Sequence, residues 1–206
     1  IYEQDYPKDK LKIIVVDSAS TDGTPELVKK WAKKHPDTKL VLLQEPTRRG
    51  MVPALNYALK HVTEDTEIVI FTDADAFWER NTLKHVTKYF ADSNVGAVTV
   101  NIIPLEGNNK HLEYEYRRYY NILRVAESKL HSTPIHNGAL IAFKEELLRK
   151  IGGIPTYTGN NDSTPASLMA FMDYRAIQIN DTIIKEPLRK EQRKRKIRFC
   201  CHAKSQ

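Results

Sequence analysis

The chain has 206 residues, 41% hydrophobic and 28% charged, long enough for one well-cored domain with the charge content of an ordinary soluble protein. No run approaches the roughly 18 apolar residues of a spanning helix, and Ile1-Tyr2-Glu3-Gln4-Asp5 has neither the basic start nor the apolar centre of a signal peptide. The net charge of +6 is matched by the segment Arg189 to Arg198 alone, seven Lys/Arg against one Glu; the body is close to neutral, which excludes the spread basic face of a nucleic-acid binder.

Leu11 to Asp17 is apolar, β-branched and followed by turn residues, a buried strand. Ser18 to Gly23 is the turn, and Thr24 is expected to cap a helix with Pro25 at its first position and Leu27, Val28, Trp31 and Ala32 on one inward stripe, ending at Pro36. The alternation repeats: strand Lys39 to Leu43, helix Gly50 to His61, strand Glu67 to Thr72, short helix Leu83 to Phe90, strand Val95 to Ile103. This rhythm predicts an α/β fold with a mostly parallel central sheet and helices on both faces. Ligands of such sheets sit at the C-terminal strand ends. Asp17 and Asp73 both stand there, so their carboxylates are expected to face one crevice.

Leu112, Tyr116, Tyr119, Leu123, Ala126 and Leu130 recur at spacings of 4, 3, 4, 3 and 4, one face of a long helix. The tyrosines invite a sugar-stacking surface, but the period is the signature of a core stripe, and burial is the expectation. Strand Ala139 to Phe143, helix Lys144 to Ile151 stopped by Gly152-Gly153, helix Asp162 to Met172, and strands Arg175 to Ile179 and Thr182 to Lys185 separated by Asn180-Asp181 complete the chain. A domain over residues 1–188 and a basic tail over 189–206 follow. Cys200 and Cys201 are adjacent and are the only cysteines, which excludes a disulfide framework and a zinc site; they are read as reduced thiols.

Phe71-Thr72-Asp73-Ala74-Asp75 is the sharpest feature: a strand delivers two carboxylates two residues apart. Hard oxygen ligands at this spacing suit a divalent cation shared with a diphosphate.

The stretch Ile14 to Thr24 resembles the Val-Val-Asp-Asp-Gly-Ser-x-Asp-Gly-Thr segment of family 2 glycosyltransferases. Arg49-Gly50, Ala54-Leu55-Asn56, Asp73-Ala74-Asp75, His136-Asn137-Gly138 and Gly152-Gly153 follow at the family's spacing. Asn161-Asp162 stands for its Glu-Asp, Tyr174-Arg175-Ala176 for part of its Gly-Tyr-Arg-Ala, and Gln192-Arg193-Lys194-Arg195 for its Gln-x-x-Arg.

The resemblance implies the GT-A nucleotide-diphospho-sugar transferase fold and an inverting, metal-dependent sugar transfer. The donor is a UDP- or GDP-sugar and the acceptor a saccharide or a lipid-linked molecule, with no nucleic-acid partner. It implies Asp162 as catalytic base. Asp17, Arg49, Asp73, Asp75, Gln192 and Arg195 would serve the donor, and Asn137, Gly138 and Asn161 the acceptor. Asp73 and Asp75 would hold Mg2+ or Mn2+. The implied location is cytoplasmic, at the membrane face, with the basic tail as a peripheral membrane contact.

Departures from the family pattern are specific. The chain begins after the family's usual first strand and helix, Ser18-Ala19 replaces Asp-Gly, Asp173 replaces a Gly expected at positive φ, and Lys196 replaces the Trp after Gln-x-x-Arg. A non-catalytic nucleotide-sugar-binding fragment, a sugar nucleotidyltransferase and a membrane-surface module run by the tail are the alternatives left open.

Overall fold

The computed structural model describes residues 1–105, 110–134, 136, 138–157 and 162–187. Strand β1 (Lys12–Ser18) pairs in parallel with β2 (Lys39–Glu45), joined by helix α1 (Thr24–Lys34). After helix α2 (Met51–Leu59) the chain enters a second sheet built from β3 (Ile68–Thr72), β4 (Phe77–Trp78), β5 (Val95–Pro104), β6 (Leu140–Lys144) and β7 (Arg175–Glu186). Its strand order is β3-β6-β5-β7-β4. Helices α3 (Thr82–Thr87), α4 (Lys110–Leu130), α5 (Glu145–Lys150) and α6 (Ser163–Phe171) complete the structure.

Directions in the larger sheet are mixed, a correction to the mostly parallel expectation. β5 and β7 are parallel, whereas β6 runs against both β3 and β5, and β4 runs against β7. Strands β3, β5 and β7 do share one direction, as the alternating pattern implied. The reversal comes from β6, a late strand inserted between β3 and β5. The two expected strands between 175 and 185 are one strand: the pairing jumps from Val100↔Ile179 to Asn101↔Ile183, so Asn180-Asp181 lies in a bulge rather than a break.

The sheet is buried on both faces. Leu140 and Ala142 of β6 pack into one apolar cluster with Val98, Val100, Ile177 and Ile179, against Val86 of α3. Ile141 and Phe143 pack into the other, against Leu147 and Leu148 of α5 and Ala166 and Met169 of α6. Alternation with period two sends neighbouring β6 side chains to opposite faces, and helices cover both. α2 is clasped to the second cluster by Asn56, whose side-chain amide donates to the Ile154 carbonyl at 2.8 Å while its oxygen accepts from the Ile154 amide at 2.9 Å. A Cβ at Gly153, which sits at φ 87, would come within 2.8 Å of that oxygen. The glycine pair and Asn56 therefore form one junction.

Three expectations about helices are corrected. Gly23, at φ 83, takes the N-cap of α1, and Asp22 rather than Thr24 supplies the side chain: its Oδ1 accepts from the Thr24 amide and hydroxyl. Leu27, expected inward, is exposed, because only Pro25 of α1 is fully buried over the narrow two-stranded sheet. The long apolar stripe of α4 is likewise exposed instead of forming core. Leu112, Tyr116, Tyr119, Leu123 and Leu130 all face solvent. The reason is what α4 packs on. It covers the edge of β7 and reaches Ile102 of the neighbouring β5, backbone donors and acceptors that need polar partners. Ser128 Oγ accepts from the Gln178 amide at 2.8 Å, Asn121 donates to the Ile102 carbonyl at 3.0 Å, and Gln178 donates to Asn121. Just past the helix, Ser132 Oγ accepts from the Ala176 amide. The polar face is therefore the inner one.

Candidate active site

β3 ends at Thr72, and its hydroxyl fixes the following turn by donating to the Ala139 carbonyl at 2.7 Å while accepting from Trp78 Nε1 at 3.1 Å. The Ala76 amide donates to the Asp73 carbonyl. Asp73 is thus half-buried at the strand end, with Asp75 exposed two residues on.

Asp162 immediately precedes α6. Its side chain makes no capping hydrogen bond to that helix, so capping does not account for the carboxylate. It lies instead against Gly138, where an added Cβ would stand 2.8 Å from Oδ2 and 3.0 Å from Oδ1. Burial, with like charge from Asp73 and then Glu186, pushes its pKa up to about 6. Asp73, Asp162 and Glu186 therefore share one electrostatic neighbourhood, rich in carboxylate. Glu186 is itself held by Arg117, whose Nη1 stands 2.7 Å from its Oε2 and whose Nε reaches Glu113 at 3.0 Å.

Beside this rim, His136 is buried with no hydrogen-bond partner for either ring nitrogen among the described residues. Desolvation and the Arg124 cation press its pKa down to about 3, so it stays neutral. Its backbone amide donates to Ser163 Oγ at 3.0 Å, tying the 136–138 segment to the start of α6.

Asp17 ends β1, buried; Oδ2 accepts from the Ser20 amide at 3.2 Å, and Oδ1 has no partner among the described residues. Next to it, Glu45 at the end of β2 accepts from Ser18 and from Arg49 Nε and Nη2, at 3.0 and 2.6 Å. Those hydrogen bonds, Ser18 first, hold Glu45 below the usual carboxylate range. Arg49 thus stands at the mouth of α2, beside Gly50 at φ 100.

Of the residues expected at the site, Asp73 and Asp162 are brought together, Gly138 touches Asp162, and Asp17 and Arg49 meet through Ser18 and Glu45. Asn137, Asn161, Gln192 and Arg195 lie outside the described residues. Glu45, Glu186 and Arg117 were missed by sequence reasoning. Spacing offered a signal for Arg117, four residues after Glu113 on one helix; nothing local marked Glu45 or Glu186. Among the described residues no three His, Cys, Asp or Glu side chains form a ready cation cage, and no helix is long and apolar enough to cross a membrane.

The mixed α/β sheet with its covering helices matches the fold of GT-A glycosyltransferases. The family described as "Glycosyl transferase family 2" matches residues 1–152, and the chain belongs to it. Mannosyltransferase PcManGT from Pyrobaculum calidifontis, solved in complex with GDP-Man and Mn2+, is 48% identical with a TM-score of 0.84, over 98% of this chain and 55% of its own. Staphylococcus aureus TarS 1–349 superposes with a TM-score of 0.60 at 21% identity, over 90% of this chain and 53% of its own, a likeness of fold. A beta-monoglucosyldiacylglycerol synthase of Synechocystis is 35% identical over 96 residues, 47% of this chain and 20% of that protein. The chain thus spans a fifth of this curated relative and about half of each of these two solved structures.

Proposed function

We propose that the chain is the catalytic core of an inverting, metal-assisted glycosyltransferase that moves a sugar from a UDP- or GDP-sugar to a saccharide or lipid-linked acceptor. The observation that carries this is Asp162, a carboxylate with its pKa raised to about 6, packed on Gly138 and within electrostatic reach of Asp73. A general base is most effective when its pKa approaches the working pH.

In this reading Asp162 accepts the proton of the acceptor hydroxyl as that oxygen bonds to the anomeric carbon. The bond from that carbon to the diphosphate oxygen breaks on the opposite face, and its electron pair leaves with the nucleoside diphosphate. One displacement inverts the anomeric centre.

Asp17, with a buried oxygen lacking a partner among the described residues, is assigned to the base or ribose, and Arg49, positioned by Glu45, to the same pocket. Asp73 and Asp75 offer hard oxygen donors in a carboxylate-rich rim, which fits a Mg2+ or Mn2+ ion completing its shell from the diphosphate. Bound there, the ion would neutralise charge on the leaving group. PcManGT, solved with GDP-Man and Mn2+, supports this choice of donor and metal. Gln192 and Arg195 are assigned to the diphosphate, Asn137, Gly138 and Asn161 to the acceptor, and the 189–206 tail to a contact with an anionic membrane surface on the cytoplasmic side.

Transfer from a panel of UDP- and GDP-sugars tests the reading. Asp162→Asn should lower turnover by about 10²-fold or more with donor affinity intact; full turnover in that variant removes the assignment.

A further inference from the structure

Arg124 is a cation without a counter-ion. It lies on the inward, polar side of α4, in a half-buried row with Glu113, Arg117, Tyr120 and Glu127 at spacings of 4, 3, 4 and 3. The other charges of that row are engaged. Arg117 is neutralised by Glu186 and Glu113, and Glu127 accepts from the Thr133 hydroxyl at 2.7 Å. Arg124 makes no ion pair among the described residues, and its Nε is buried there with no hydrogen-bond partner. Tyr120 holds the guanidinium through its ring, 5.6 Å from ring centre to Cζ. Burial is the largest influence on the cation and keeps its pKa below the usual guanidinium range, against a weaker attraction from Tyr116, Glu127 and Tyr120. A half-buried charge is costly unless something pairs with it, so an orphan of this kind calls for a partner from outside the chain.

Its place points to that partner. The Arg124 charge reaches His136, which is neutral and supplies no counter-charge. The His136 amide is tied to Ser163, the residue after Asp162, and Gly138 lies under the Asp162 carboxylate. Arg124 therefore borders the candidate base on the side of the 136–138 segment. It is not among the charges that act on Asp162, which are Asp73 and Glu186. The matching anion is thus set apart from the hydroxyl that Asp162 deprotonates, as a phosphate across a sugar ring from that hydroxyl is. A guanidinium presents forked N–H donors that match phosphate oxygens.

We propose that Arg124 binds a phosphate group of the acceptor, so that the acceptor is a glycosyl phosphate, free or joined to lipid. This rests on Asp162 as the base of the transfer. Arg124 is the residue that selects a phosphorylated acceptor over an uncharged saccharide, and the nucleophile is a sugar hydroxyl rather than the phosphate itself.

Calorimetric titration with the donor site filled by GDP or UDP and Mn2+ tests the proposal with three probes: glucose 1-phosphate, octyl glucosyl phosphate and octyl glucoside. Both phosphates should bind at least about tenfold more tightly than octyl glucoside, and Arg124→Gln should erase the difference. Arg124→Lys should keep part of it. Arg118→Gln, which removes an exposed cation paired only with Glu115, should keep all of it. Arg124→Gln should melt no lower than the parent, since it removes an unpaired charge. Tighter binding of the octyl ester than of glucose 1-phosphate identifies a lipid-linked acceptor, and equal binding a soluble one. A parent chain with no preference for phosphate overturns the proposal, as does a preference that survives Arg124→Gln. An Arg124→Gln chain that melts lower, with Arg124→Lys restoring stability but not the preference, makes the residue structural and overturns it too. Asp162→Asn should leave the preference unchanged, so failure of the Asp162 assignment shows in turnover alone.

Discussion

The carboxylate of Asp162 rests on the Cα of Gly138, leaving no room for a Cβ: one would stand 2.8 Å from Oδ2. The colliding atoms are the end of a side chain, so Gly138→Ala is expected to fold and to push the carboxylate aside. A displacement on this scale costs on the order of 10²-fold in turnover. The expected result is a fall in kcat with donor affinity and melting temperature close to the parent's, read by steady-state kinetics and calorimetry.

Burial and the like charges of Asp73 and Glu186 raise the pKa of Asp162. A raised carboxylate binds its proton more tightly folded than unfolded. Its charging therefore costs stability as pH climbs from about 4, the unfolded value, through about 6. Asp162→Asn should be more stable than the parent above pH 6, by on the order of 1–3 kcal/mol, and the gain should vanish toward pH 4. Denaturant titrations at several pH values check this. The same group predicts an acid limb near pH 6 in donor-independent titration of Asp162. The limb should move lower when Mn2+ offsets the charge of Asp73, as read by carboxylate NMR.

Much of this site was legible before the fold was known. Asp73 and Asp162 lie 89 positions apart, yet each sits at a boundary that turn and helix signals mark, so their places at element ends were readable, while the roles proposed for them come from the family resemblance. Glu186 and its pairing with Arg117 were not legible, because they come from β7 running beside α4, a tertiary fact. The stripe of α4 shows the limit most clearly. Its period was read correctly and its burial was not, since a sheet edge demands polar partners and a sheet face apolar ones. Periodicity cannot distinguish them. The β6 reversal escaped for a similar reason: alternating elements tell which segments are strands, not where a late strand inserts.

Ala19 has φ 54 and Asp173 φ 64, the two non-glycine residues of positive φ among the described residues. Each stands where the family pattern has glycine. Left-handed backbone costs a Cβ-bearing residue about 1–2 kcal/mol, partly offset by glycine's freedom when unfolded. Ala19→Gly should stabilise by about 0.5–1 kcal/mol in urea titration, and Asp173→Gly by less, since Asp tolerates this region better.

Ser18 and Arg49 hold the Glu45 carboxylate below its usual range. A depressed carboxylate contributes stability that is present above the unfolded value and lost as pH falls through the folded one. Arg49→Ala should therefore lower the melting temperature at pH 7. The difference from the parent should close as pH drops below about 4. Donor affinity should fall at neutral pH in the same variant.

The central claim is that the Asp73–Asp75 turn joins a cation to the donor diphosphate. Calorimetric titration of UDP- and GDP-sugars, with and without Mn2+, into the parent chain and Asp75→Ala tests it most directly. The account predicts that Mn2+ strengthens donor binding in the parent and makes little difference in the variant. Equal affinity with and without the metal, unchanged by the substitution, would contradict it.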